Sequence, residues 1–232
     1  MPNTPLPEWE ALLASAAHLQ KIVPEAVLVG GTAAASYAHH RVSVDHDHTL
    51  SDLRQRFDTV LATLESVAGW RTARVKRPVL ILGSLDGIET GIRQLIRDAP
   101  LETETIEVVG EKLTVPTKAE MLRIKAVLII RRNATKGIGP NEVFSHLGLS
   151  HTTVGRAFRN VRGTTVQDEI AKVRLGEAQR LLSDTSQPVN LVARNAGYSS
   201  TPYFCRSFVE ATGLNPSDWR LKRGCKPFPK VQ

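Results

Sequence analysis

Two aspartates one residue apart, Asp45 and Asp47 in the run Arg41-Val-Ser-Val-Asp-His-Asp-His, are the side chains best spaced to do chemistry. On a strand, residues i and i+2 point to the same face, so the two carboxylates stand side by side. Adjacent carboxylates repel unless a cation lies between them, and Mg²⁺ with nucleotide phosphates is the usual such cation. Upstream, Gly30-Gly31-Thr32 opens a helical stretch whose first N–H groups suit phosphate. Asp45 and Asp47 are therefore candidate catalytic and Mg²⁺-ligating residues. Gly30, Gly31 and Thr32 are candidates for binding a nucleoside triphosphate. Four histidines, His39, His40, His46 and His48, crowd the pair. Their spacing matches no standard zinc set, and solvated or locally hydrogen-bonded rings are the expectation.

A second group of residues has the types that contact DNA, and it occurs in a pattern written twice. Asn141 to Ser150 followed by His151 to Phe158, and Val189 to Tyr198 followed by Ser199 to Phe208, each read as a helix, a turn with glycine (Gly148, Gly197) and a second helix opened by a hydroxyl residue. This is the grammar of a helix-turn-helix, whose second helix enters the major groove. Exposed residues early on the second helices are the candidate base contacts: His151, Thr152 and Arg156, then Ser200, Thr201 and Arg206. Arginine to guanine is the commonest specific contact, which puts Arg156 and Arg206 first. Arg159 and Arg162 are assigned to phosphates. Phe158, Phe204 and Phe208 should face the core, Trp219 should anchor it, and Ser150 and Ser199 are expected N-caps.

The elements that hold these residues follow from periodicity and charge. Between the two motifs, apolar residues at Val166, Ile170, Val173, Ala178, Leu181 and Leu182 predict one amphipathic helix over 165–182. Its ~27 Å could hold two recognition helices near one DNA turn apart on the same duplex face. From Ala126 onward the chain carries 16 Lys+Arg against 7 Asp+Glu; before it the counts are 14 and 16. A basic half with helix-turn-helix signals is the footprint of a phosphate-backbone binder, with double-stranded DNA as the partner and no cofactor needed. The first half alternates: helices near 8–21, 30–39 and 51–68, strands near 26–29, 42–50, 79–82 and 104–109. That is an α/β domain over 1–125, followed by an all-α domain over 126–232. A helix over 126–137 is read as shared at the boundary.

Both halves resemble known families. The stretch from about Ile130 to Arg223 is similar to the DNA-binding unit of AraC/XylS-family regulators, most closely the xylose-regulator branch. The similarity lies in Leu147-Gly-Leu-Ser, Phe158, Arg174-Leu, Gly197-Tyr, Tyr203-Phe, Arg206, Phe208, Gly213 and Pro216. It implies seven helices in two subdomains, sequence-specific promoter binding and, most often, activation by contact with RNA polymerase. The Gly-Gly turn with its Asp-x-Asp strand, together with Ile81-Leu-Gly, Gly91-Ile-Arg-Gln-Leu and the run from Val115 to Lys125, resembles AbiEii-like nucleotidyltransferases. That resemblance implies a nucleotidyltransferase-like α/β fold and a third carboxylate, with Glu102 or Glu104 as candidates. The chain departs from the pattern after Arg132-Asn-Ala-Thr, where acidic residues give way to Lys136-Gly-Ile-Gly-Pro. The fold without catalysis therefore stands beside the enzyme as a reading.

The remaining bounds are short. Cys205 and Cys225 form neither a metal spacing nor a disulfide framework, which makes a reducing cytoplasm the expected compartment. No apolar run approaches the ~18 residues of a membrane span, and Met1-Pro-Asn-Thr-Pro lacks the regions of a signal peptide. A transcription regulator is the expectation, and a nucleotidyltransferase carrying a nucleic-acid-binding domain is its rival.

Overall fold

The computed structural model describes residues 9–38, 43–97, 100–108, 110–162 and 164–223, the side chains of 38 and 160–162 excepted. Packing divides the chain into two compact units, Met1–Met121 and Leu122–Gln232. The division falls inside one helix, four residues before the boundary read from the sequence.

In the first unit the order is α1 (Trp9–Ile22), β1 (Val27–Val29), α2 (Gly30–Ala38), β2 (Asp45–Leu50), α3 (Leu53–Glu65), β3 (Trp70–Lys76), β4 (Leu80–Leu85), β5 (Ile88–Gln94), β6 (Thr103–Val108) and β7 (Glu111–Pro116). Five strands form one sheet in the order β1-β2-β5-β4-β3, with β2 and β5 parallel and the other neighbours antiparallel. Strands β6 and β7 pair separately. Helix α3 buries Leu53, Phe57, Val60, Leu61 and Leu64, a stripe at helical spacing that joins Leu50, Ile81, Leu85 and Ile92 of the sheet. Alternation along the strands leaves Asp45, Asp47, Glu89 and Arg93 on the opposite face of the sheet, away from that core.

Strands β3, β5 and β7 were not anticipated. Strand β3 is an edge strand whose Arg71 to Arg74 are all exposed, so it lacks the half-buried alternation that marks a strand. Strand β5 follows a two-residue turn, Asp86-Gly87, with both residues at positive φ. Asp-Gly between apolar runs is a hairpin signal, and it was there to be read.

Helix α4 (Lys118–Asn133) starts in the first unit and continues into the second. After a 3₁₀ turn (Ala134–Lys136) come α5 (Pro140–Leu147), α6 (His151–Arg162), α7 (Val166–Asp184), α8 (Val189–Asn195), α9 (Thr201–Thr212) and α10 (Pro216–Lys222). Two apolar clusters organise these helices. One gathers Ala126, Ile130, Val143, Phe144, Val154, Phe158 and Ile170; the other gathers Ala178, Leu182, Val192, Phe204 and Phe208. Helix α7 contributes to both, through Ile170 at one end and Leu182 at the other.

Candidate nucleic-acid interface and the carboxylate pair

The second unit contains the same helix pair twice, α5–α6 and α8–α9, in matching register. Helix α5 ends at Gly148, whose φ of 64° sets the left-handed cap, and Ser150 then accepts a hydrogen bond from the Thr153 N–H at 3.2 Å. In the second pair Gly197 has φ 87°, and Ser200 caps α9 by accepting from the Tyr203 N–H at 3.3 Å. The cap is Ser200 rather than the expected Ser199, because this turn is one residue longer between glycine and helix. Ser200, expected at a base, thus accepts at the helix start and keeps its own O–H to donate.

Counted from each helix start, equivalent positions do equivalent work. The fourth and eighth residues are buried: Val154 and Phe158 in α6, Phe204 and Phe208 in α9. The sixth residues, Arg156 and Arg206, are exposed. No hydrogen bond or ion pair of either guanidinium is found among the described residues. The first residues differ: His151 is exposed but lies against the Phe144 ring, centroids 4.4 Å apart, and Thr201 is half-exposed. Thr152 is exposed. Arg159 is exposed, with Nε donating to the Gly155 carbonyl at 3.3 Å. Arg162 closes α6, and its side chain lies outside the described residues.

Other cations here are structural. Arg174 of α7 donates to the carbonyls of Ala134 and Ile138, at 3.0 and 2.8 Å, and burial holds its pKa below the ordinary arginine value. Arg220 of α10 is buried and donates to the carbonyls of Leu182 and Gln187, at 3.4 and 2.5 Å. Arg174 matched the family pattern by residue type alone; that both arginines bind backbone was visible only in three dimensions. Trp219 packs edge-on to Phe208 at 5.7 Å, the expected core anchor.

In the first unit, Gly30, at φ 77°, turns the chain from β1 into α2 and faces Asp47. A Cβ built on Gly30 would lie 3.8 Å from the Asp47 carboxylate. The Gly-Gly turn and the Asp-x-Asp strand therefore meet, as their types suggested. Thr32 is buried, and its hydroxyl donates to the Asp45 carbonyl at 2.5 Å, tying α2 to β2. Ser43 Oγ donates to the Asp45 carboxylate at 3.1 Å. Asp47 pairs with Arg93 of β5 at 3.5 Å, both partly exposed.

Neither Glu102 nor Glu104 reaches this pair. Glu102 accepts from Thr117 and Glu104 from Tyr37, both at the β6–β7 side of the unit. The carboxylate registered beside Asp45, on the parallel strand, is Glu89. Finding it required knowing that β2 and β5 are parallel neighbours. Among the described residues no group of three or more His, Cys, Asp or Glu side chains could hold a metal ion. The pair fits a divalent cation incompletely, with two carboxylates, one of them shared with a guanidinium, and no reaction step is derived from it.

His46 and His48 point to the other face of β2 and are buried. His46 is held between the hydroxyls of Ser15 and Thr90, at 3.0 and 2.9 Å, and His48 lies edge-on to it at 5.3 Å. Burial lowers the His46 pKa to about 4; burial, then the neighbouring His46, lowers that of His48 well below its ordinary value. These are neutral core rings. His39 and His40 lie outside the described residues.

A family model described as "Helix-turn-helix domain" matches residues 144–222, the stretch in which the two helix pairs were found. The chain is 31% identical over 97 residues to the xylose operon regulatory protein of Escherichia coli (strain K12), covering 42% of this chain and 25% of that protein. It is 36% identical over 84 residues to the arabinose operon regulatory protein of Salmonella typhimurium (strain LT2), covering 36% and 29%. Among solved structures, the C-terminal domain of AraT, a response regulator from Geobacillus stearothermophilus, aligns with 21% identity and a TM-score of 0.45, over 50% of this chain and 97% of that one. The chain thus spans a quarter to under a third of the length of these two curated relatives. Residues 144–222 carry a helix-turn-helix domain.

Proposed function

We propose that this chain is a sequence-specific transcription regulator of the AraC/XylS type, binding double-stranded DNA in the cytoplasm and activating transcription through contact with RNA polymerase. One observation carries the reading: Arg156 and Arg206 occupy the same exposed position on two recognition helices built on the same buried positions. The relatives' names point the same way, one regulating a xylose operon and the other an arabinose operon. Among the described residues, no helix is long and apolar enough to cross a membrane. The test is selection of bound duplexes from a random pool by the purified chain, followed by a promoter reporter carrying the selected site. Enrichment of one sequence, and reporter output that rises with the chain, is the expected result.

A second reading places Mg²⁺ and a nucleoside triphosphate at Asp45 and Asp47, with Gly30 and Gly31 toward the phosphates. It is favoured by the meeting of the α2 N-terminus with the carboxylate pair; the Arg93 guanidinium on Asp47 opposes it. Calorimetric titration with nucleotides and Mg²⁺ separates the two, since heat lost in Asp45→Asn/Asp47→Asn would support a nucleotide site.

A further inference from the structure

Within the first unit, a cleft of about 660 Å³ opens between the start of α1, the end of α2, strand β6 and the first turn of α4. Its size is that of a site for a small organic molecule. Trp9, Leu13, Ile106 and Val108 give it apolar walls, and Tyr37 and Glu104 give it polarity. The Tyr37 hydroxyl lies 2.5 Å from the Glu104 carboxylate and 2.7 Å from the Pro116 carbonyl, its one proton shared between the two acceptors, which places the carboxylate beside the ring. Burial, and next the Glu104 carboxylate, raise the Tyr37 pKa, so the phenol stays protonated as the donor.

One occupant of this ring face is already present. The Lys118 ammonium lies over the Tyr37 ring, 5.5 Å from its centroid. An aromatic face with a carboxylate at its edge attracts cations, and here the chain's own cation answers. Lys118 is also the first residue of α4, the helix that continues to Asn133 and supplies Ala126 and Ile130 to the core of the helix-turn-helix unit.

We propose that this cleft binds a small organic cation with an apolar body, which displaces Lys118 from the Tyr37 ring and thereby alters DNA affinity through α4. The regulatory half rests on the DNA-binding function proposed above; the binding half does not. Charge sets the class of ligand: with Lys118 displaced, an anion of the same size would meet Glu104 and Glu107, and a neutral molecule would gain packing against the ring but not the attraction of a cation to its face.

The full chain titrated calorimetrically with benzyltrimethylammonium tests both halves, with benzoate and benzyl alcohol as anionic and neutral counterparts. Saturable binding of the ammonium alone is expected. Lys118→Met should tighten it, by removing the internal competitor, and Glu104→Gln should weaken it by a few-fold, its amide oxygen still accepting from the Tyr37 hydroxyl. Equal binding of benzyl alcohol, binding unchanged by both substitutions, or no saturable heat at millimolar ligand would overturn the site. Duplex affinity is then measured with and without the ammonium, and a shift of severalfold that Glu104→Gln suppresses is expected. An unchanged duplex affinity at saturating ammonium overturns the regulatory half. Failure to bind any duplex in either condition contradicts the proposed function instead, and the calorimetric result still decides the cleft.

Discussion

At the level of single residues, the second unit holds exposed arginines on α6 and α9 and backbone-bound arginines on α7 and α10. Arg156 and Arg206 project from equivalent exposed positions, whereas Arg174 and Arg220 spend their donors on backbone carbonyls. Arg206→Ala should cost about 1–3 kcal/mol at its cognate base pair and relax specificity there. Arg159→Ala should weaken binding alike on all sequences and reduce the salt slope by about one. Affinities on a panel of singly mutated sites at several salt concentrations check both; identical profiles for the two variants would contradict the division. Position and type made Arg156 and Arg206 legible in the sequence, since a repeat fixes the register of both helices at once. The cap was assigned to Ser199 because the two turns differ by one residue, and only backbone geometry shows that Ser200 caps α9. At the carboxylate pair, Asp45, Asp47 and the Gly30 turn were legible from local spacing. Glu89 and Arg93 were not, because a parallel strand brings them there from more than forty residues away.

Among elements, the turn of the second helix pair tolerates less change than that of the first. A Cβ on Gly197 would lie 2.3 Å from the Ala134 carbonyl oxygen and 2.8 Å from the Thr135 Cα, both backbone atoms, and its φ is 87°. Gly148 has the left-handed φ but open space around it. Gly148→Ala should therefore cost about 1–2 kcal/mol from backbone strain alone. Gly197→Ala should cost clearly more, because the 3₁₀ turn must also move. Chemical denaturation of the two variants, followed by helical circular dichroism, measures the difference; equal losses would show that the close approach carries no weight. Strand β2 makes a separate prediction about pH. His46 titrates near 4 when folded, against about 6.5 when unfolded, so between these values the unfolded chain binds a proton that the folded chain excludes. Stability of the first unit should fall as pH drops from about 6.5 toward 4, by up to about 1.4 kcal/mol per pH unit for this group. Denaturation midpoints across that range check it, and His46→Gln should give a shallower slope. The hydroxyls of Ser15 and Thr90 that hold His46 lie on α1 and β5, so the sequence alone showed only a cluster of histidines.

For the whole molecule, the sequence separated an α/β half from a basic helical half correctly, because charge and periodicity change together near the boundary. The sheet order was beyond it: long-range pairing between β2 and β5 leaves no mark on local pattern. What the chain does as a unit depends on whether its two helix pairs work together. Helix α7 has 19 residues, about 28 Å of helix, with one helix pair packed at each end. A single chain should then engage two successive major grooves, as a dimer of single motifs would. Hydroxyl-radical footprinting of the full chain on its selected site, with stoichiometry measured on the same complex, tests this most directly. The account predicts one chain per site and two protected stretches about one helical turn apart, one lost in Arg156→Ala and the other in Arg206→Ala. A single protected groove per chain, or protection that both substitutions erode equally along its length, would contradict it.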